Sequence, residues 1–250
     1  MSSSAFVIAI FEFVLLIFSL SVHECAHAWT ASRLGDHTAR LQGRVTLNPV
    51  SHVDPIGTLL FPALIIFGPF IGFSFFSGLL VGWAKPTPVI TRNFKKIRRD
   101  DNLTTLAGPV SNLVLVALAM VVLAGIAMSV PGGHDLVMGT FVATLRGSIL
   151  HMGTGTGLQA ITILGCQAIL INLSLFFFNL FPIPPLDGSR LVRNVLPYRA
   201  VQAYDKVPMW VSYLLMIFVG GYVIMLFLEP ALMLVFQTLN GIGGSGIPVQ

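Results

Sequence analysis

Apolar residues gather along this chain into five long runs separated by short polar connections. A membrane-spanning helix needs about 20 mostly apolar residues. The runs at 5–31, 103–128, 160–181 and 210–236 each predict one. The run at 56–83 differs, because Pro62, Gly68, Pro69 and Gly72 interrupt it. A Gly-Pro pair near the middle invites a break, so this segment predicts either a kinked span or a hairpin that leaves and re-enters on one side. Broken backbone at membrane depth is tolerated only where protein or a cavity covers it. The stretch 131–159 is rich in glycine, with Phe141, Val142, Leu145, Ile149 and Leu150 between, and predicts a short interfacial helix. The glycine-rich 241–250 reads as a flexible tail, leaving 1–240 as a single membrane-embedded domain.

Composition agrees with that pattern. Hydrophobic residues make up 55% of the chain and charged residues 10%, and the mean hydropathy is +0.85. A soluble domain carries roughly 25% charged residues, so a water-facing surface could not be covered. The result is an all-α polytopic membrane protein. No basic n-region precedes the first apolar run, which is read as a retained helix rather than a signal peptide. Cys25 and Cys166 both sit in apolar stretches and read as small buried hydrophobes, not as a disulfide framework.

The net charge of +4 is concentrated in the connections. Arg33, Arg40 and Arg44 lie in 32–55. Lys85, Arg92, Lys95, Lys96, Arg98 and Arg99 lie in 84–102, and Arg190, Arg193, Arg199 and Lys206 in 182–209. The connection 129–159 holds Arg146 alone among lysines and arginines. Positive loops face the cytoplasm, which predicts the first three inside and the fourth outside. That parity requires 56–83 to return to the side it left, with both termini outside. Anionic lipid accounts for the basic run around Lys95–Arg99, and nucleic acid is not an expected partner.

Chemistry enters at His23-Glu24-Cys25-Ala26-His27. Side chains four apart share a helix face, so both imidazoles can reach one ion, most simply zinc. Glu24 is turned about 100° from His23, beside the ligands and able to accept a proton from water. Ionisable groups inside a membrane helix are costly and usually functional. Glu12 and Ser19 fall on the His23 face, which should point into the bundle, while Cys25 points away. A hydrolytic zinc site wants a third protein ligand. Asp187, at the end of the fourth run in Asn179-Leu180-Phe181-Pro182-Ile183-Pro184-Pro185-Leu186-Asp187-Gly188, is the best candidate, although an Asp-Gly turn alone is commonplace. The predicted topology brings Asp187 to the same membrane edge as His23 and His27.

These residues resemble the site-2 protease family of intramembrane zinc metalloproteases, in its short prokaryotic branch without a PDZ domain. The resemblance rests on the HExxH segment and on Leu186-Asp187-Gly188. It extends through Gly35-Asp36, Gly43-Arg44, Thr46-Leu47-Asn48-Pro49-Val50-Ser51-His52-Val53-Asp54-Pro55, Gly57, Gly82-Trp83-Ala84-Lys85-Pro86 and Gly108-Pro109-Val110-Ser111-Asn112. It covers residues 20 to about 200. It implies a site-2-protease-like helical core and one zinc ion per chain held by His23, His27 and Asp187, with Glu24 as general base. Asn112 and Asn179 are read as polar support for substrate or oxyanion, each with helix–helix glue as the plain alternative. His52 and Asp54 are read as a pair supporting the site or as a helix cap, with a turn role the plain reading for Asp54; the resemblance favours His52 facing the cleft without fixing its role.

The expected activity is cleavage of peptide bonds within or beside the transmembrane segment of a membrane-protein substrate. The expected localisation is a prokaryotic plasma membrane, with the site near the cytoplasmic edge. The competing reading is a metal-binding transporter or sensor, which should carry polar residues across the bilayer instead of concentrating them at one edge.

Overall fold

The computed structural model describes residues 3–73, 84–149 and 155–243. Among these the regular structure is helical throughout. Helix α1 spans Ser3–Leu34 and is followed by the short α2, Thr38–Leu41. A π turn at Pro55–Leu60 leads into α3, Phe61–Phe67. The long α4 covers Ile97–Ser129, α5 Gly133–Leu145 and α6 Gly157–Asn179. Two short helices, α7 (Asp187–Val195) and α8 (Tyr198–Tyr204), precede α9 (Met209–Leu215). A π turn at Met216–Gly220 joins α9 to α10, Gly221–Gly243. Four helical stretches are long and apolar enough to cross a membrane: Ser4–Leu34, Ile97–Ser129, Gly157–Asn179 and Met209–Ile242. They fall on the four expected runs, and the protein is a multi-pass integral membrane protein.

Helix α4 is central and packs against α1, α5, α6, α7 and α10. Its Val116, Leu123 and Ile126 meet Val137 and Phe141 of α5, Ile169 and Leu173 of α6, and Ile224, Leu228 and Leu232 of α10. The opposite faces are equally apolar: Val14, Leu118, Val121 and Leu226 are exposed. With lipid outside, burying apolar surface gives little drive for helix association, so close approach and polar contacts must supply it. Gly165 provides one close approach, since a Cβ there would lie 2.8 Å from Leu123 Cδ2. Buried Thr140, Thr162, Gln167, Asn172 and Ser212 provide the polar interior. That interior corrects the expectation that polar residues gather at one membrane edge.

Within the run at 56–83 the described helix is short. Pro55–Ile71 is a shorter apolar helical stretch. Its last turn, Gly68–Ile71, ends at Gly72 with φ 78°, a left-handed conformation that glycine adopts without strain. Residues 74–83, including the expected end at Trp83, lie outside the described residues. On their far side, Lys85 N–H donates to His52 O at 2.9 Å. The chain is therefore back beside the residue from which the segment departed. A single crossing would separate these atoms by the membrane thickness of about 30 Å.

Two expectations shift. The helix in 131–159 is α5, but Val137 and Phe141 are buried in the core rather than laid along an interface. Of the tail expected at 241–250, Gly241–Gly243 continue α10, and 244–250 lie outside the described residues.

Candidate metal centre

Helical spacing on α1 brings His23 and His27 to one face, and their Nε2 atoms are 3.0 Å apart. Asp187, the first residue of α7, places Oδ2 at 3.1 Å from each. Both histidines are buried, with the carboxylate side chain 16% exposed. These three residues form a cluster able to coordinate a metal ion, with donor atoms all within 4.8 Å of one another.

Several features fit this cluster to a metal. Zinc bonds of about 2.0–2.1 Å in a tetrahedron put neighbouring donors roughly 3.3 Å apart, close to the spacing seen. His27 Nδ1 lies 2.7 Å from Thr104 O. A carbonyl only accepts, so Nδ1 carries the proton and the Nε2 lone pair faces the cluster. His23 Nδ1 lies 3.2 Å from Asn112 Nδ2, while the buried Asn112 Oδ1 has no hydrogen-bond partner. A half-turn of that amide puts Oδ1 on His23 Nδ1–H and frees the second Nε2 lone pair in the same way. The ring edges are fixed by packing, with the two imidazoles nearly perpendicular at 82°. Gly108 of α4 faces the pair, and a Cβ there would collide with both Nε2 atoms. Glycine leaves the space an ion would fill.

Asp187 is held by a second set of contacts. Gly188 must be glycine, because a Cβ would strike the Leu180 carbonyl. One turn along α7, Arg190 pairs with the buried Asp101 of α4. Asn194 Nδ2 donates to Asp101 Oδ2 at 2.6 Å and Asn102 Oδ1 at 2.7 Å. Tyr204 Oη–H donates to Pro182 O at 2.8 Å, tying α8 to the proline turn.

Glu24 lies on the neighbouring face of α1, and its Oε2 accepts from Thr87 Oγ1–H at 2.7 Å and Thr87 N–H at 3.1 Å. The extended stretch bearing Thr87 is anchored by the Lys85–His52 bond and by Ile90 N–H donating to Asp36 Oδ2 at 2.7 Å. The other expected residues lie apart from the cluster. His52 is buried with Nε2 2.9 Å from Thr46 O, bracing the 46–52 turn. Asp54 caps the π turn through Ile56 N–H and Gly57 N–H. Asn179 Nδ2 donates within its own helix to Leu175 O at 2.9 Å. On the α1 face bearing His23, Ser19 Oγ is 3.0 Å from Asn172 Nδ2, and Glu12 hydrogen-bonds Gln167. Thr87, Thr104, Asp101 and Asn194 carry no motif in the sequence. Thr104 acts through its backbone carbonyl, which no side chain signals.

Comparison with known proteins agrees with this geometry. The family model described as peptidase family M50 matches residues 11–222. YwhC of Bacillus subtilis, provisionally named a zinc metalloprotease, is 38% identical over 184 residues, covering 74% of this chain and 68% of its own. Rip2 of Mycobacterium tuberculosis, with the same provisional name, is 31% identical over 170 residues, 68% of this chain and 51% of its own. Rip2 of Mycolicibacterium smegmatis is 38% identical over 112 residues, 43% and 39% respectively. The chain thus spans about half or less of the two Rip2 proteins. No solved structure matches at a significant level.

Proposed function

The chain belongs to peptidase family M50, and on that premise we propose that it is an intramembrane zinc endopeptidase cutting within or beside a substrate's transmembrane segment. The observation that carries this reading is the convergence of His23 Nε2, His27 Nε2 and Asp187 Oδ2 from helices far apart in sequence. These three would hold one zinc ion per chain, which when bound polarises the scissile carbonyl and makes water a stronger acid.

The remaining chemistry belongs to the chain. Glu24 accepts the proton of the attacking water and delivers it to the leaving amide nitrogen. Thr87 fixes Oε2 through two donors, and among the described contacts Oε1 accepts none, so Oε1 is the oxygen that takes the proton. Thr104 O and Asn112 hold the imidazoles in the tautomer a ligand needs. A substrate helix keeps its carbonyls in internal hydrogen bonds and must unwind before one reaches the site.

The topology we propose puts the connections 32–55, 84–102 and 182–209 in the cytoplasm, both termini outside and the metal centre near the cytoplasmic edge of a prokaryotic plasma membrane. Loop charge supports it, as does the return of the broken segment to His52. A metal transporter or sensor would draw on the polar contacts between α1 and α6. Those groups pair with each other across the two helices, Asn172 with Ser19 and Glu12 with Gln167, as interhelical glue does.

The test uses the full chain in detergent with a model transmembrane substrate. Glu24→Gln should abolish cleavage while zinc content stays near that of the wild type. Zinc loss equal to that of His23→Ala would make Glu24 a ligand and overturn the assignment.

A further inference from the structure

A cavity of about 430 Å³ opens where α1 ends and α4 begins, about 10 Å beyond His27 along α1. One wall is Ser32–Gly35 with His37, and the other is Lys95, Lys96, Arg99 and Asp100. Four permanent cations therefore face one concavity from segments far apart in sequence. The lining carboxylate, Asp100, is buried and committed. Its Oδ2 accepts from Lys96 N–H at 2.9 Å, capping α4, and its Oδ1 lies 3.9 Å from Arg99 Nε. Asp36, just behind the first wall, is likewise engaged, accepting from Thr38, Ile90 N–H and Asn93. The lysine and arginine heads remain exposed and in excess.

The walls are rigid. Asp36 ties the turn after α1 to Ile90 and Asn93, and Gly35, at φ 113°, lets the backbone pass close to Asn93 O. The positive end of the α4 dipole opens onto the same space. Position identifies the ligand further. Both helices are membrane-crossing in length, so their shared end lies at the level where lipid headgroups sit. Trp29 is 52% exposed one turn below, with the Arg33 guanidinium 5.3 Å from its ring centroid. Tryptophan with an adjacent arginine is the pairing found at the membrane–water interface.

We propose that this cavity binds the phosphate group of an anionic phospholipid, whose acyl chains run down past Trp29 along α1. The site needs no metal and stands apart from the proteolytic reading. Cationic pockets between membrane helices hold headgroups in this way, whereas a diffuse basic loop would attract lipid without a preferred position.

The experiment measures lipid retention by native mass spectrometry on the full chain, supplied with phosphatidylglycerol or phosphatidylcholine of matched acyl chains. Wild type should retain one phosphatidylglycerol in preference to phosphatidylcholine. Arg33→Gln with Arg99→Gln should weaken retention roughly tenfold or more. The control, Arg92→Gln with Arg98→Gln, removes equal charge from exposed positions that do not line the cavity, and should leave retention unchanged. Equal loss in the two double variants, or equal retention of both lipids by wild type, would overturn the proposal. So would displacement of the lipid by excess inorganic phosphate together with phosphate binding in lipid-free detergent, which would assign the cavity to a soluble anion.

Discussion

Gly108 decides how near α4 comes to the two imidazoles. Its missing side chain is the space between them, so Gly108→Ala should expel the ion without unfolding the bundle. Zinc per chain by elemental analysis should fall at least tenfold, with helical content close to wild type. Full zinc occupancy in that variant would show that the ion lies elsewhere. At this scale the donors are legible in the sequence and the groups that orient them are not. HExxH and Leu-Asp-Gly are local patterns, so His23, Glu24, His27 and Asp187 could be picked out from spacing and family resemblance. The groups that fix them come from other helices. Asn112 was visible as an intramembrane amide, but its contact with His23 depends on the α1–α4 crossing. The Thr104 acceptor is a backbone carbonyl, identical in every residue and therefore silent in sequence. Thr87 gave no signal because its stretch has neither helical nor strand periodicity.

Among elements, the junction between α1, the Thr91–Asn93 turn and α4 carries a pH dependence. Burial opposes ionisation of Asp36, yet hydrogen bonds from Thr38, Asn93 and Ile90 outweigh it and lower its pKa in the folded protein. A carboxyl more acidic when folded stabilises the native state above its unfolded pKa, near 3.9. That contribution is lost as pH falls through the folded value. Asp36→Ala should destabilise the neutral protein by about 1–3 kcal/mol, because partly buried donors on Thr38 and Ile90, with Asn93, lose their acceptor. It should also flatten the fall in melting temperature below about pH 4. A thermal-shift series from neutral to acid pH checks both, and parallel curves for variant and wild type would refute the assignment. Element boundaries were less legible than element existence. Helix α4 begins at Ile97, ahead of the apolar run at 103, because Arg98, Arg99, Asp100 and Asp101 can be helical beyond the hydrocarbon. Hydropathy marks where lipid ends and says nothing of where hydrogen bonding ends. The break in 56–83 was legible because Gly68, Pro69 and Gly72 act on the backbone locally.

Across the whole molecule, the proposed sidedness is open to a direct test. Single cysteines at Arg40, Lys96, Asp135 and Arg199, in a background lacking Cys25 and Cys166, can be treated with a membrane-impermeant thiol reagent on intact cells. Labelling at Asp135→Cys alone is the expected result. Labelling of Arg40→Cys and Lys96→Cys from opposite faces would break the link between loop charge and topology. Charge in the connections and metal ligands at the helix ends constrain the same variable, the number of crossings. The interior is not legible in the same way, since residues apolar on every face give no sign of which side meets α4.

The cluster's span along the chain has a consequence for its birth. Asp187 follows His27 by 160 positions, and a ribosome adding roughly 5–20 residues per second needs about 8–32 s to cover that distance. During that interval the first helix stands in the membrane with both imidazoles made and no carboxylate to close around an ion. The complete donor set first exists when α6 has been threaded and the proline turn has emerged. A nascent chain, or one truncated before that turn, carries an open clasp, and its neighbours in the bilayer are spared a half-built blade.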